Sequence, residues 1–288
     1  MANGPLSQVA LQVPPSTVQI PKLARFQLHE YVRSRRFIAL VAIIAVIGAI
    51  LTTVIAYYRA QLTSGGLLSG GLAFYGSFWG GGVDLVIVLS AVFFGGDAIA
   101  GEFQNKTGYF LMGLPIRRTT VYVGKFIAAY LASVAIMLLY LAILIGNGAY
   151  YLHGGFLPWQ LGISLLLALT YLAAVMGATF LFSSLFKTSA YGFVLTAILF
   201  LFGFTLIEDL ITGLTSLEPW MVISYAESTI GNVFASHVNW GFGATTSLSF
   251  GRMRTFNPGI GEGLVIMLGY FFLTAAAGLA LFEREEFS

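Results

Sequence analysis

Long apolar runs separated by short polar stretches set the pattern of this chain. Six runs reach the length a helix needs to cross a hydrocarbon core, roughly 20 residues at about 1.5 Å each. They are residues 37–57, 83–100, 124–146, 161–185, 190–212 and 263–282. Lipid offers no water to bond to, so a run of this length satisfies its backbone groups internally, as a helix. Several of the 34 glycines fall inside the runs, where small residues let helices approach closely. The pattern predicts an all-α integral membrane fold of six transmembrane helices. Residues 1–19 read as a polar N-terminal tail and 20–288 as one transmembrane domain.

Three segments outside the runs have their own pattern. In 20–36, at about 100° per residue, Ile20, Leu23, Ala24, Leu28 and Tyr31 share one face. Lys22, Arg25, His29, Arg33 and Arg36 share the opposite one. This predicts an amphipathic interfacial helix, apolar side in lipid and basic side toward headgroups, with Pro21 in its first turn. The alternative is a plain juxtamembrane basic anchor. In 101–118, a short amphipathic stretch carries Phe103, Phe110, Leu111 and Leu114 and stops at Pro115, which cannot continue a helix. The segment 213–262 is long for a loop without structure of its own. Its Trp220, Tyr225, Trp240, Phe242, Phe250 and Phe256 predict that part of it dips into the outer leaflet or packs on helix ends.

Charge placement orients the spans. Lys22, Arg25, Arg33, Arg35, Arg36, Lys106, Arg117, Arg118, Lys125, Lys187 and Arg284 fall on one side, and Arg59, Arg252 and Arg254 on the other. Eleven of the 14 basic residues therefore share a side, which predicts that this side is cytoplasmic. Six spans then put both termini in the cytoplasm of a multi-pass cell-membrane protein. The tail, with Pro5, Pro14 and Pro15, lacks the pattern of a cleavable leader, so the first run reads as a retained signal anchor. Composition agrees: 58% of residues are apolar and 9% charged, against about 25% charged in soluble domains. No basic cluster interleaved with aromatics suggests nucleic-acid binding. With no cysteine, disulfides, thiolate metal sites and cysteine nucleophiles are excluded.

Catalytic patterns are missing. The run from Gly108 to Gly113 has the glycine spacing of a phosphate loop, but Leu114 and Pro115 replace its Lys and Ser/Thr. There is no H-E-x-x-H, the three histidines (His29, His153, His237) lie in different segments, and no G-x-S-x-G elbow occurs. No catalytic residue, metal ligand or bound cofactor is expected of this chain. The acidic pair Glu208–Asp209 lies toward the outer end of the fifth run. It reads either as a solvated helix terminus or as a substrate or gate group. Phe193, Ala197, Phe200 and Phe204 recur at helical spacing on the same run. That stripe either lines a path for a hydrophobic substrate or packs against other helices.

Residues 96–126 carry the most specific pattern. Glu102 stands at the end of the second run, Thr107 follows, then a Leu-bearing stretch, Pro115, Arg118, and Gly124–Lys125 at the head of the third run. This order resembles the permease subunit of type-2 ABC exporters. Lys106 stands where that family usually has glycine, and Phe110 where a second glutamate is common. The interfacial helix, the six runs, the long segment before the sixth and the charged tail (Glu283 to Glu286) are also similar to the family's plan.

The resemblance implies a transporter half. Two such permeases, identical or paired, would enclose a translocation path, and separate cytoplasmic ATPase subunits would carry ATP and Mg²⁺. Coupling to the ATPase would pass through Glu102, Phe103, Thr107, Phe110, Leu111, Leu114, Pro115 and Arg118, and through the interfacial helix with Lys22, Arg25, Arg33 and Arg36. Phe193, Phe200, Phe204, Glu208 and Asp209 are the candidates for the path. The rival reading is an ATP-independent carrier or channel. Such carriers often show inverted repeats and charges at midplane, and neither is evident here. A membrane-embedded enzyme would need clustered catalytic groups, which are missing too. The transported substrate stays open.

Overall fold

The structure is a computed structural model that describes residues 15–104, 116–152, 157–186, 188–215, 217–235, 241–248 and 251–284. Six helices are long and apolar enough to cross a membrane: span 1 (Arg35–Tyr57), span 2 (Val83–Glu102), span 3 (Arg118–Tyr151), span 4 (Gln160–Leu185), span 5 (Ser189–Thr215) and span 6 (Ile260–Arg284). The all-α membrane fold expected from the hydrophobic runs is therefore what forms. Span 3 runs well beyond the expected 124–146, because Arg118, Thr119 and Thr120 already continue the helix ahead of the apolar run.

Spans 2, 3 and 4 build the interior, while spans 1, 5 and 6 bury only a minor share of their apolar stretches. Span 6 packs against spans 4 and 3 at two glycines. A Cβ on Gly177 would stand 2.6 Å from the Thr274 hydroxyl, and one on Gly278 would stand 2.6 Å from the Tyr122 hydroxyl. Glycine lets these helices touch, which is how bundles pack when lipid offers no hydrophobic drive.

A helix forms where the interfacial helix is expected, over Ser16–Arg33, and its apolar face has a different neighbour. Its apolar face lies on the chain's own spans rather than in lipid. Ala24 is buried, Leu23 fills the space left by Gly124, and the Tyr31 hydroxyl donates to the Phe94 carbonyl at 3.2 Å. The helix begins at Ser16, so Pro21 sits in its interior rather than its first turn. It ends at Ser34, whose backbone turns extended. The Ser34 hydroxyl then accepts from the Phe37 amide at 3.2 Å and starts span 1. Arg36 therefore belongs to span 1 and not to the interfacial helix.

Span 5 is not a uniform α-helix. A wider π turn at Leu199–Gly203 separates Ser189–Ile198 from Phe204–Thr215. At the end away from the termini, two short helices, Ile223–Glu227 and Thr229–Asn232, tuck against the spans. The Trp79 indole donates to the Ser164 hydroxyl at 2.9 Å, and that hydroxyl donates to the Ile230 carbonyl at 2.6 Å. Gly80 meets Gly231 so closely that a Cβ on Gly80 would stand 2.6 Å from the Gly231 Cα.

The segment before span 6 also holds an antiparallel hairpin, β1 (Gly241–Leu248) with β2 (Gly251–Asn257). The aromatic content of this segment did not announce strands. Two short runs, the first rich in Thr, Ser and Gly, bond to each other along their facing edges.

Candidate transmission site

The ends of spans 1, 2, 3, 4 and 5 meet at the end of the bundle nearest the interfacial helix. The meeting point is a break in span 2. Its regular helix runs Val83–Gly95, opens at Gly96–Ile99 and resumes at Ala100–Gln104. The glycine pair Gly95–Gly96 fits such an opening, since glycine is the poorest helix former after proline. Opening a helix inside a bundle frees backbone donors and acceptors that must be satisfied locally.

Ser183 of span 4 satisfies three of them. Its hydroxyl accepts from the Ile99 and Ala100 amides at 3.1 and 3.0 Å and donates to the Gly96 carbonyl at 3.0 Å. Lys125 of span 3 takes a fourth, donating to the Ala98 carbonyl at 2.8 Å. The same ammonium pairs with the Glu102 carboxylate. Lys125 is buried and Glu102 is mostly so. A buried charge persists only when paired and hydrogen-bonded, and here a carboxylate and a carbonyl share that task.

Two further ties close the site. Arg36 of span 1 bridges Asp97 in the opened turn at 2.5 Å. The Gln104 side-chain oxygen (Oε1) accepts from the Ser189 amide and hydroxyl at 3.2 and 2.8 Å, so the end of span 2 holds the head of span 5. Beside the site, the Arg118 guanidinium donates to the Glu283 carbonyl at 2.9 Å and links span 3 to span 6. Burial, reinforced by the Asp97 carboxylate, pushes the Tyr31 phenol above its usual range, so Tyr31 stays a hydrogen-bond donor.

The residues singled out in the sequence fall as follows. Glu102 lies at this site and Arg118 beside it. Phe103 is within the last helical turn of span 2. Thr107, Phe110, Leu111, Leu114 and Pro115 lie outside the described residues. Lys22 and Arg25 are on the outward face of the interfacial helix, and Arg33 is its last residue. Arg36 has left that helix for the Asp97 bridge.

Phe193, Phe200 and Phe204 turn inward and pack within the chain. Phe193 stands edge-on to Phe93, Phe200 is buried beside Phe204, and Phe204 stands edge-on to Tyr270. The stripe is thus engaged in aromatic packing within this chain. The open face of span 5 carries Val194, Ile198, Phe202, Leu206 and Leu210. Glu208 points inward and accepts from the Ser224 hydroxyl at 2.6 Å, while Asp209 is exposed.

Sequence reading missed the Arg36–Asp97 bridge and the bracket made by Ser183. The Gly95–Gly96–Asp97 breaker preceding Glu102 was the one available signal for the first. Nothing distinguishes Ser183 from Ser184 along the chain, because their roles are set by span packing.

At the opposite end, acidic groups cluster. The Tyr171 hydroxyl donates to Asp84 at 2.8 Å, and Tyr225 bonds Glu218. Burial, then the Asp84 and Glu208 carboxylates, push Glu227 well above the usual carboxylate range. Among the described residues no group of three or more His, Cys, Asp or Glu side chains is arranged to hold a metal ion.

A family model described as ABC-2 family transporter protein matches residues 22–287, nearly the whole chain. A search of curated proteins returns no match.

Proposed function

This chain belongs to the ABC-2 transporter family, and on that premise we propose that it is the membrane-spanning permease subunit of an ATP-driven exporter. Two permeases, the same or paired, form the path, and separate ATPase subunits dock at the end that carries the transmission site. ATP and Mg²⁺ belong to those subunits. The interfacial helix, residues 105–115 and both termini face the cytoplasm of the cell that holds the protein in its membrane, as the eleven-to-three distribution of basic residues favours.

The observation that carries this reading is the Lys125 bracket. Residues 105–115 link spans 2 and 3, and Lys125 ties the two spans together beside that link through Glu102 and Ala98. A displacement of the link moves both spans as one body. Through Ser183 and Gln104 it also reaches spans 4 and 5. Rigid elements joined this way convert a local push into a domain rearrangement.

Phe103, Phe110, Leu111 and Leu114 supply the apolar contact for the ATPase. Thr107 and Pro115 belong to the same coupling segment, and Arg118 anchors its far end. The open face of span 5 lines the path between the two permeases, backed by Phe193, Phe200 and Phe204, with Glu208 and Asp209 toward its outer mouth.

The test is co-purification. Phe110→Asp or Leu111→Asp should release the ATPase subunit while the permease stays inserted and folded. Full-yield co-purification with hydrolysis still coupled to transport would remove the link as the dock.

A further inference from the structure

The interfacial helix has a second face. Its apolar side is used up on spans 2 and 3, yet the outward side is not uniformly polar. Lys22, Arg25 and His29 follow one another along it at helical spacing, and Phe26 and Val32 flank them, exposed at 72% and 46%. With Leu28 these residues line an open groove of about 580 Å³. Among the described residues none of the three basic side chains is paired with an acid. Glu30, the one acid of this helix, takes its hydrogen bond from Gln27.

Depth decides what meets this face. Leu23 packs at Gly124 and Tyr31 bonds the Phe94 carbonyl. Both partners lie inside spanning helices, Gly124 six residues from the start of span 3 and Phe94 eight residues from the end of span 2. The apolar run of span 3 opens at Gly124 itself and that of span 2 ends six residues past Phe94, so at about 1.5 Å per residue both contacts lie within roughly 9 Å of an apolar edge. The helix therefore lies at the level where headgroups give way to acyl chains. There basic side chains interleaved with large apolar ones match a phosphate above and a hydrocarbon chain below.

We propose that this groove binds an anionic phospholipid, with Lys22, Arg25 and His29 on its phosphate and Phe26 and Val32 against its acyl chain. The site belongs to the permease alone and does not depend on the ATPase reading. A plain basic anchor would attract anionic membranes without a stoichiometric site. This groove predicts one retained lipid per permease.

The test is native mass spectrometry of the purified permease, released from detergent after exposure to phosphatidylglycerol, to phosphatidylcholine or to inorganic phosphate. One phosphatidylglycerol should stay bound, whereas phosphatidylcholine and phosphate should not. Replacing Lys22→Gln with Arg25→Gln should weaken retention on the order of thirtyfold. The charge-conserving pair Lys22→Arg with Arg25→Lys should bind as the parent does. Phe26→Ala removes an exposed ring without touching the core and should also weaken retention, which keeps the test valid if the double Gln variant fails to fold. Equal retention of phosphatidylcholine, or phosphatidylglycerol binding unchanged by the Gln pair and by Phe26→Ala, overturns the proposal. So does loss of the ATPase subunit in the Gln pair with lipid binding intact, which would assign the face to a protein.

Discussion

The Lys125 ammonium lies buried between the Ala98 carbonyl, 2.8 Å away, and the Glu102 carboxylate. Like the Ser183 hydroxyl, it touches both the opened turn of span 2 and the helical turn that follows it. Its partners are unequal, because Glu102 retains some access to solvent and Lys125 has almost none. That inequality gives an ordered prediction.

Glu102→Gln should destabilise more than Lys125→Met. The first leaves a buried ammonium with neutral acceptors only, and a buried pair that loses one charged member costs about 3–5 kcal/mol. The second leaves a carboxylate that can turn to water. The double variant should be less destabilised than the sum of the singles, since neither charge is then stranded. Thermal unfolding in detergent, run on all four proteins as a double-mutant cycle, measures this. Additive losses would show that the two residues do not act as a pair.

Ser183→Ala should loosen the opened turn. It leaves the Ile99 and Ala100 amides and the Gly96 carbonyl without their shared partner. Unsatisfied buried groups cost about 1–3 kcal/mol. Hydrogen exchange at residues 96–100 should speed up well beyond the change elsewhere in span 2. Uniform acceleration along the whole span would point to general destabilisation instead.

The six spans were legible because lipid imposes one rule on every spanning segment, and long apolar runs report it directly. The interfacial helix was legible as a helix but not in its partner. Periodicity shows that Leu23, Ala24 and Tyr31 share a face, and it cannot say whether lipid or span 3 covers that face. Arg36 went to the wrong helix because the wheel continues smoothly past Ser34. The break there is made by a side-chain cap and an extended backbone, which leave no mark on hydrophobicity. The phenylalanine stripe of span 5 was visible, but its direction depends on packing against Phe93 and Tyr270 from other spans. Glu102 stood out through its motif, while Arg36, Asp97 and Ser183 joined the site only through contacts made across spans.

Glu227 gives the last prediction. It lies in the short helix Ile223–Glu227, tucked between spans at the end away from the termini. The groups near it are acidic or neutral: Asp84 of span 2 with Tyr171 of span 4, and Glu208 of span 5 with Ser224. Burial first, and these carboxylates second, raise the Glu227 pKa well above its ordinary value. The sign follows from linkage. A carboxyl that holds its proton more tightly when docked favours the docked state while that proton is bound. Its contribution is full below the undocked pKa and is lost as pH rises through the docked one. Thermal stability should therefore decline as pH climbs from the ordinary carboxylate range toward and past neutral, with residues 223–232 exchanging faster over the same interval. Glu227→Gln keeps the size and a donor but carries no proton to lose. It should flatten the decline and raise stability at the alkaline end, with little change at the acid end. A Gln variant that keeps the parent's full pH profile would exclude Glu227 as the titrating group. The neighbouring Asp84 and Glu208 would then be replaced in turn.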